Sequence, residues 1–302
     1  MLDEKSWSSL ILHDWERIPH GINSDIDYVI RGPKPKELIH ALIDYCEENG
    51  WSLVQILEHE VDAHYCVCVK NSAPFESVLL DVCWDYRRKG IDLIENDTLF
   101  EGAWQPEGRT FKVPAPHLEF LYRLVKAAAK AKDLGELSEL EAKMRAFFED
   151  HSEECLKVLR DVTDYKGGPD WDELRLFFDD SPYFNQIRKG RKIGMREVKL
   201  YAKRIAKPTG LLVGFPEGGK ATSAIIETVT CAFRKVEHQE GKIPWWQIKS
   251  HLIKSTLVAQ RADLCGGGLI LSQDEGDCVE AGARKIFDFL SSRIKTEWDY
   301  LA

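Results

Sequence analysis

Asp81 lies inside an apolar strand pattern, Val78-Leu79-Leu80-Asp81-Val82. A carboxylate buried alone in such a run is costly, so the fold must supply it with a partner or a cation. The chain poses the same problem earlier, at Asp25-Ile26-Asp27-Tyr28-Val29. Side chains alternate across a strand, so Asp25 and Asp27 point to one face. A sheet that brings this strand beside the one carrying Asp81 would gather three acids in one place.

Two carboxylates on one strand face, after the turn Gly21-Ile22-Asn23-Ser24, make an oxygen-rich site for a hard divalent cation. Magnesium fits this pattern, because it binds through one or two carboxylates plus substrate phosphates. Metal held this way can clamp the attacking and leaving oxygens of phosphoryl or nucleotidyl transfer. Asp81 is the expected third ligand, and Asp85 is its fallback. Lys126 and Lys130 are spaced i, i+4 on an expected helix, so both could meet a triphosphate. Arg87 and Arg88, after the Asp81 strand, are placed to do the same.

The rest of the first third alternates strand and helix signals. Ile26 to Arg31 is a strand ended by Gly32-Pro33, and Pro35 to Asn49 has helical spacing ended by Gly50. Trp51–Leu57, Ala63–Val69 and Val78–Trp84 read as strands from their β-branched and aromatic content. A long helix is expected from about His117 to Lys132, introduced by Pro114 and Pro116. The fold class is therefore α/β, with three parts: residues 1–115 around the acids, a helical region 116–207, and a small α/β domain 208–302.

Composition narrows the function classes. Of 302 residues, 44% are hydrophobic and 30% charged, enough for a sizeable core and against long disorder. No apolar run reaches the length of a membrane span, so no membrane partner is expected. The eight cysteines do not form a secreted disulfide framework. Cys66 and Cys68 share one strand face and should pack as small hydrophobes. The expected location is a reduced, cytoplasmic one.

The net charge of −9 argues against a whole-surface polyanion binder, so any nucleic-acid contact must be local. One stretch could provide it. Between Gln186 and Lys207 there are nine bases, from Arg188 to Lys207, against the single acid Glu197. The preceding segment, Glu136 to Asp180, holds 14 acids and 6 bases. Mutual neutralisation of these helical segments is the favoured explanation, and tracking of nucleic-acid phosphates is the alternative.

Past Pro208 a second motif appears. Gly210-Leu211-Leu212-Val213-Gly214 is a buried-strand pattern, and Gly214-Phe-Pro-Glu-Gly-Gly219-Lys220-Ala221 leads from it into an expected helix, Thr222 to Lys235. This matches GxxxxGK, in which backbone amides cradle phosphates and the lysine reaches the β- and γ-oxygens. The hydroxyl that should follow the lysine is missing. Ala221 cannot bind metal, and Thr222 is one position further around the helix. A strand at Gly268–Leu271 and a closing helix from about Cys278 to Lys295 complete the expected unit.

The segments His20–Ile30, Val78–Ile94 and Phe111–Leu134 together resemble the nucleotidyltransferase superfamily, whose pattern is a Gly-containing turn, two acids separated by one residue, and a third acid on a later strand. The segments Lys207–His238 and Ala283–Ile294 resemble the start and end of thymidylate-kinase-like domains. Proteins from bacterial polysaccharide loci join two such parts. The resemblance implies a magnesium-dependent nucleotidyltransferase that takes a nucleotide, with ATP foremost, from a nucleoside triphosphate to a sugar phosphate, a protein or an RNA end. Asp25, Asp27 and Asp81 would hold the metal. Ser24, Lys126 and Lys130 would meet the nucleotide, and Gly214, Gly219, Lys220 and Thr222 would form a second nucleotide site.

Two departures from these patterns stand out. The resemblance implies a Gly-Ser or Gly-Gly pair about ten residues before the acids, where this chain has Leu12-His13-Asp14-Trp15. The kinase-like part is shortened, and Gln273-Asp274-Glu275 stands where a catalytic Asp-Arg pair was expected. The alternatives are a non-catalytic nucleotide-sensing or partner-binding module and, third, a small-molecule kinase.

Overall fold

The computed structural model describes residues 7–18, 25–88, 91–130, 138–190, 194–239, 244–265 and 268–299. It is an α/β protein with a mixed sheet and a parallel one. Ser24 lies outside the described residues.

The N-terminal sheet has five strands: β1 (Ser8–Ile11), β2 (Ile26–Arg31), β3 (Trp51–Glu60), β4 (Ala63–Lys70) and β5 (Ser77–Cys83), in the order β1-β2-β5-β4-β3. The pair β2 and β5 is parallel, and the remaining pairs are antiparallel. Helix α1 (Pro35–Glu48) covers one face. Its Leu38, Ile39 and Leu42 pack with Ile30, Leu53, Ile56, Cys66, Cys68 and Val82. Cys66 and Cys68 are buried there as expected, and burial pushes the Cys66 thiol up to about 12. The opposite face carries Asp27, Tyr65 and Asp81.

A short hairpin, β6 (Tyr86–Arg88) and β7 (Ile91–Ile94), and helix α2 (Asn96–Phe100) lead to α3 (Pro116–Lys130). This helix is nearly all buried. Phe120, Leu121, Leu124 and Val125 join Phe148, Leu159, Phe178 and Phe184 in one core. Those partners come from α4 (Ser138–Asp150), α5 (Ser152–Val162), α6 (Trp171–Asp180) and α7 (Pro182–Lys189).

The basic helix α8 (Met195–Ala206) corrects one expectation. It does not neutralise the acidic helices. Arg196 pairs with Asp62 at 2.5 Å, Lys203 with Glu58 at 2.6 Å, and Arg204 donates to the Glu58 carbonyl, all at the β3–β4 hairpin. Arg188 follows the expectation, lying 3.7 Å from Asp179 and donating to the Phe178 carbonyl at the end of α6, and Arg191 and Lys192 lie outside the described residues. Surface pairs of this kind contribute about 0–1 kcal/mol each. They fix where α8 sits more than how stable the protein is.

The C-terminal sheet is larger than the sequence suggested. Four parallel strands, β8 (Leu211–Phe215), β9 (Lys235–Gln239), β10 (Thr256–Arg261) and β11 (Leu269–Ile270), lie in the order β11-β8-β10-β9. Helix α9 (Thr222–Val229) stops short of Lys235, because Thr230–Ala232 tightens into a 3-10 turn and Lys235 opens β9. Helix α10 (Trp245–Ile253) covers one face of this sheet through Ile248 and Leu252. After α11 (Gln273–Asp277), the long α12 (Val279–Asp299) packs Ala283, Ile286, Phe287 and Leu290 on α9 and the parallel sheet. Its Ile294 reaches the α1 core of the other sheet. Among the described residues, no helix is long and apolar enough to cross a membrane.

His64 on β4 is 3% exposed and stacks edge-on against Trp84. Burial pushes its imidazole down to about 4. The unfolded chain therefore takes up a proton near pH 6.5 that the folded chain refuses until about pH 4. Stability is complete above pH 6.5 and falls by about 3 kcal/mol as pH drops to 4. Denaturant unfolding of wild type and His64→Leu across that range should show the slope in the first and its loss in the second. Equal slopes would mean that His64 is not the group responsible.

Candidate active site

The parallel register sets Asp27 of β2 directly against Asp81 of β5, and Tyr65 of β4 lies against Asp81 on the other side. Asp25 stands just before β2 on the same face. One carboxylate oxygen from each of Asp25, Asp27 and Asp81 lies within 4.8 Å of the other two. Asp81 is thus the third acid, and the fallback Asp85 is not part of the cluster. Neighbouring ligands of an octahedral magnesium, with oxygens at about 2.0–2.1 Å, are about 2.9 Å apart and opposite ones about 4.1 Å. Three oxygens share one such ion only when at least two of their separations take the shorter distance, so the cluster would draw together around a cation.

Helix α3 supplies the other wall. Glu119, Tyr122, Arg123 and Lys126 recur at helical spacing on one face, so the turn that buries Phe120 and Leu121 on one side aims these polar groups at β1 and β2. The Tyr122 hydroxyl donates to Asp27 Oδ1 at 2.9 Å, and Lys126 Nζ donates to Asp27 Oδ2 at 2.6 Å. His13, just after β1, reaches the same Oδ2 with Nε2 at 2.7 Å, while its Nδ1 lies 2.9 Å from Asp14. Arg123 binds Glu119 at 2.5 Å and lies 3.6 Å from Asp14, which closes the network.

The charges follow from these contacts. Burial alone would raise the Asp27 carboxyl, but the His13 bond and the Lys126 charge outweigh it and hold Asp27 well below the usual range. Burial likewise works against a charged His13, yet its bonds to Asp14 and Asp27 raise its pKa. His13 Nε2 also lies 2.7 Å from Lys126 Nζ, so the imidazole, the ammonium and Asp27 Oδ2 meet at one point. Asp25 accepts from the Tyr65 hydroxyl at 3.2 Å, and Asp81 lies 2.8 Å from His59 Nε2.

Lys126 is therefore at the site, whereas Lys130 ends the helix one turn on, exposed. Arg87 pairs with Asp92 across the β6–β7 hairpin, so its guanidinium is engaged there. His13, His59, Tyr65 and Tyr122 were not identified from the sequence. The available signal for His13 was its position. It lies in the segment Leu12-His13-Asp14-Trp15, where a Gly-Ser or Gly-Gly pair was expected. The Trp15–Arg17 helix that follows is one 3-10 turn with no side-chain cap.

The glycine loop of the C-terminal domain is satisfied from within. The Lys220 amide donates to Asp277 Oδ1 at 2.9 Å, the Ala221 amide to the Gly276 carbonyl at 3.1 Å, and the Gly219 amide to the Pro216 carbonyl at 3.2 Å. Thr222 donates its hydroxyl to the Gly219 carbonyl. Gly276 lies so close to Pro216 that a Cβ would collide with the ring, which lets α11 sit down on the loop. Glu217 points to Arg261 at 3.1 Å. Gly214 lies in β8, Gly219 and Lys220 in the loop after it and Thr222 at the start of the next helix, and the protein's own carboxylate and carbonyls occupy the amides of Gly219, Lys220 and Ala221.

Of the two neighbours of β8, β10 ends in Gln260-Arg261, and β11 leads into Gln273-Asp274-Glu275. Restoring the hydroxyl with Ala221→Ser should accordingly yield no phosphorylated nucleoside monophosphate from ATP. Chromatography of an overnight reaction checks this, and a product peak from either protein would overturn it.

No protein-family model matches the chain, and neither the curated proteins nor the solved structures searched give a match.

Proposed function

We propose that the chain is a magnesium-dependent nucleotidyltransferase whose centre is Asp25, Asp27 and Asp81. The observation that carries this reading is the convergence of the three carboxylates on adjacent strands, beside a lysine and a histidine. Three acids gathered this closely repel one another, and a divalent cation among them would relieve that repulsion.

In this reading Asp25 and Asp81 are the primary ligands and Asp27 turns one oxygen to the ion. A divalent cation there would polarise the α-phosphate and assist the acceptor hydroxyl. Lys126 leaves Asp27 for the phosphates of the incoming triphosphate. Tyr122 and His59 keep the carboxylates oriented by bonding one oxygen each of Asp27 and Asp81, while Asp27 Oδ2 keeps His13 when Lys126 leaves. The C-terminal loop takes no part in turnover, because its amides are already satisfied.

The test is incubation with each labelled nucleoside triphosphate and magnesium, read as pyrophosphate release and a labelled product on a sugar phosphate, a protein or RNA. Absence of pyrophosphate with all four triphosphates and a panel of acceptors would sink the proposal. A second reading, a nucleotide-sensing or partner-binding module without turnover, draws support from one observation. Asp27 already has three donors, so a metal must compete with a lysine that is in place. Tight metal-free triphosphate binding without pyrophosphate release would favour that reading.

A further inference from the structure

The face that bears the acids continues, away from α3, into a cavity of about 310 Å³ between the two sheets. Asp25 and Tyr65 stand at one end of it. Leu57, Val67 and Leu79 form the N-terminal wall, and Phe233 and Arg234, between α9 and β9, form the other. Gln55 joins the two sides, donating from Nε2 to the Ala232 carbonyl at 3.0 Å and to the Thr209 carbonyl at 3.2 Å. The C-terminal domain is thus built onto the sheet face that carries the candidate centre.

Three features narrow the occupant. The volume lies at the lower end of small-molecule sites, roughly 300–1,000 Å³, so it takes one compact molecule. Leu57, Val67, Leu79 and Phe233 make much of the lining apolar, with Gln55, Tyr65 and Ser255 as a few polar groups among them, which favours a ring with some polar edges over a sugar phosphate, most of whose hydroxyls would lose water without replacement. Leu79 and Asp81 are two residues apart on one strand, about 7 Å, so a ring beside Leu79 connects to the carboxylates through a linker of ribose size. Arg234 is exposed at the rim, and a guanidinium stacks on the face of a heterocycle.

We propose that this cavity is a nucleoside pocket. The base lies between the β3–β5 face and the Phe233–Arg234 segment, and the phosphate end is directed at Asp25, Asp27 and Asp81. The C-terminal domain would then act on nucleotides as a wall of the N-terminal site, without use of its own glycine loop. The phosphate end rests on the function proposed above, while the base end stands on the cavity alone.

The experiment is methyl NMR on leucine- and valine-labelled protein, titrated with the four ribonucleosides without metal, then with the four triphosphates and tripolyphosphate with magnesium. At least one nucleoside should move the Leu57, Val67 and Leu79 signals. Leu79→Trp, which fills the cavity, should weaken its binding at least tenfold. Arg234→Ala, an exposed change that leaves the core intact, should weaken it as well, and tripolyphosphate binding should be unchanged in both.

Competition between nucleoside and triphosphate would identify the occupant as the donor's base. Simultaneous binding would identify a nucleoside acceptor. Either result supports the pocket. If tripolyphosphate fails to bind while nucleosides do, the metal reading falls and the pocket stands. Silence of these methyls towards every nucleoside and triphosphate, or affinities unaltered by both variants, would overturn the pocket.

Discussion

Replacing Asp27 with alanine should lower the free energy of unfolding by about 3–5 kcal/mol, the usual cost of removing one partner from a buried ion pair. The sequence alone suggests the opposite, since deleting one of three clustered acids should relieve repulsion. The structure reverses that expectation. Asp27 is 8% exposed and accepts from Lys126, His13 and Tyr122, so its loss strands the Lys126 ammonium and leaves the other two groups without their acceptor in a dry site. Urea unfolding at pH 7 measures the effect. Asp27→Ala combined with Lys126→Met should recover part of the loss, because the stranded charge goes too. A single variant as stable as wild type would show that Asp27 is not the hub of the network.

Asp25→Asn combined with Asp81→Asn should have the complementary outcome. Each asparagine keeps an oxygen for the hydroxyl of Tyr65 or the ring of His59, so melting should change little. Removing two of the three negative ligands should cost several kcal/mol of transition-state stabilisation, at least about a thousandfold in pyrophosphate release. Magnesium binding by calorimetry should vanish in parallel. Undiminished turnover in the double variant would remove these carboxylates from the chemistry, whatever their geometry.

What the sequence disclosed, it disclosed through local pattern. Asp25, Asp27 and Asp81 could be found because strand alternation and the cost of a lone acid in an apolar run are both local rules. Lys126 could be found because its helix is long and strongly periodic. His13 and Tyr122 could not, because each matters only through a pairing across the fold, β1 against β2 and α3 against both. The strands β9 and β10 were passed over for a different reason. Thr256–Arg261 follows closely on Trp245–Ile253, and short apolar runs do not distinguish strand from helix by period alone. The charge balance between Glu136–Asp180 and Arg188–Lys207 was arithmetically close and spatially misleading. Equal and opposite totals say nothing about which carboxylate a given lysine reaches, and α8 found Glu58 and Asp62 instead.

Helix α12 bears on the order in which this chain can fold during synthesis. Its Ile294 completes the core beneath α1, and Lys295 pairs with Glu47 near the end of that helix. Arg293 also ties the helix to the Thr209 and Gly210 carbonyls at the entry to β8. A growing chain can pair β2 with β5 and lay α1 on them early, yet that core stays unfinished until α12 has emerged from the ribosome. Nascent chains halted before α12 should therefore remain protease-sensitive in their first hundred or so residues, and emergence of α12 should be the event that closes both halves together.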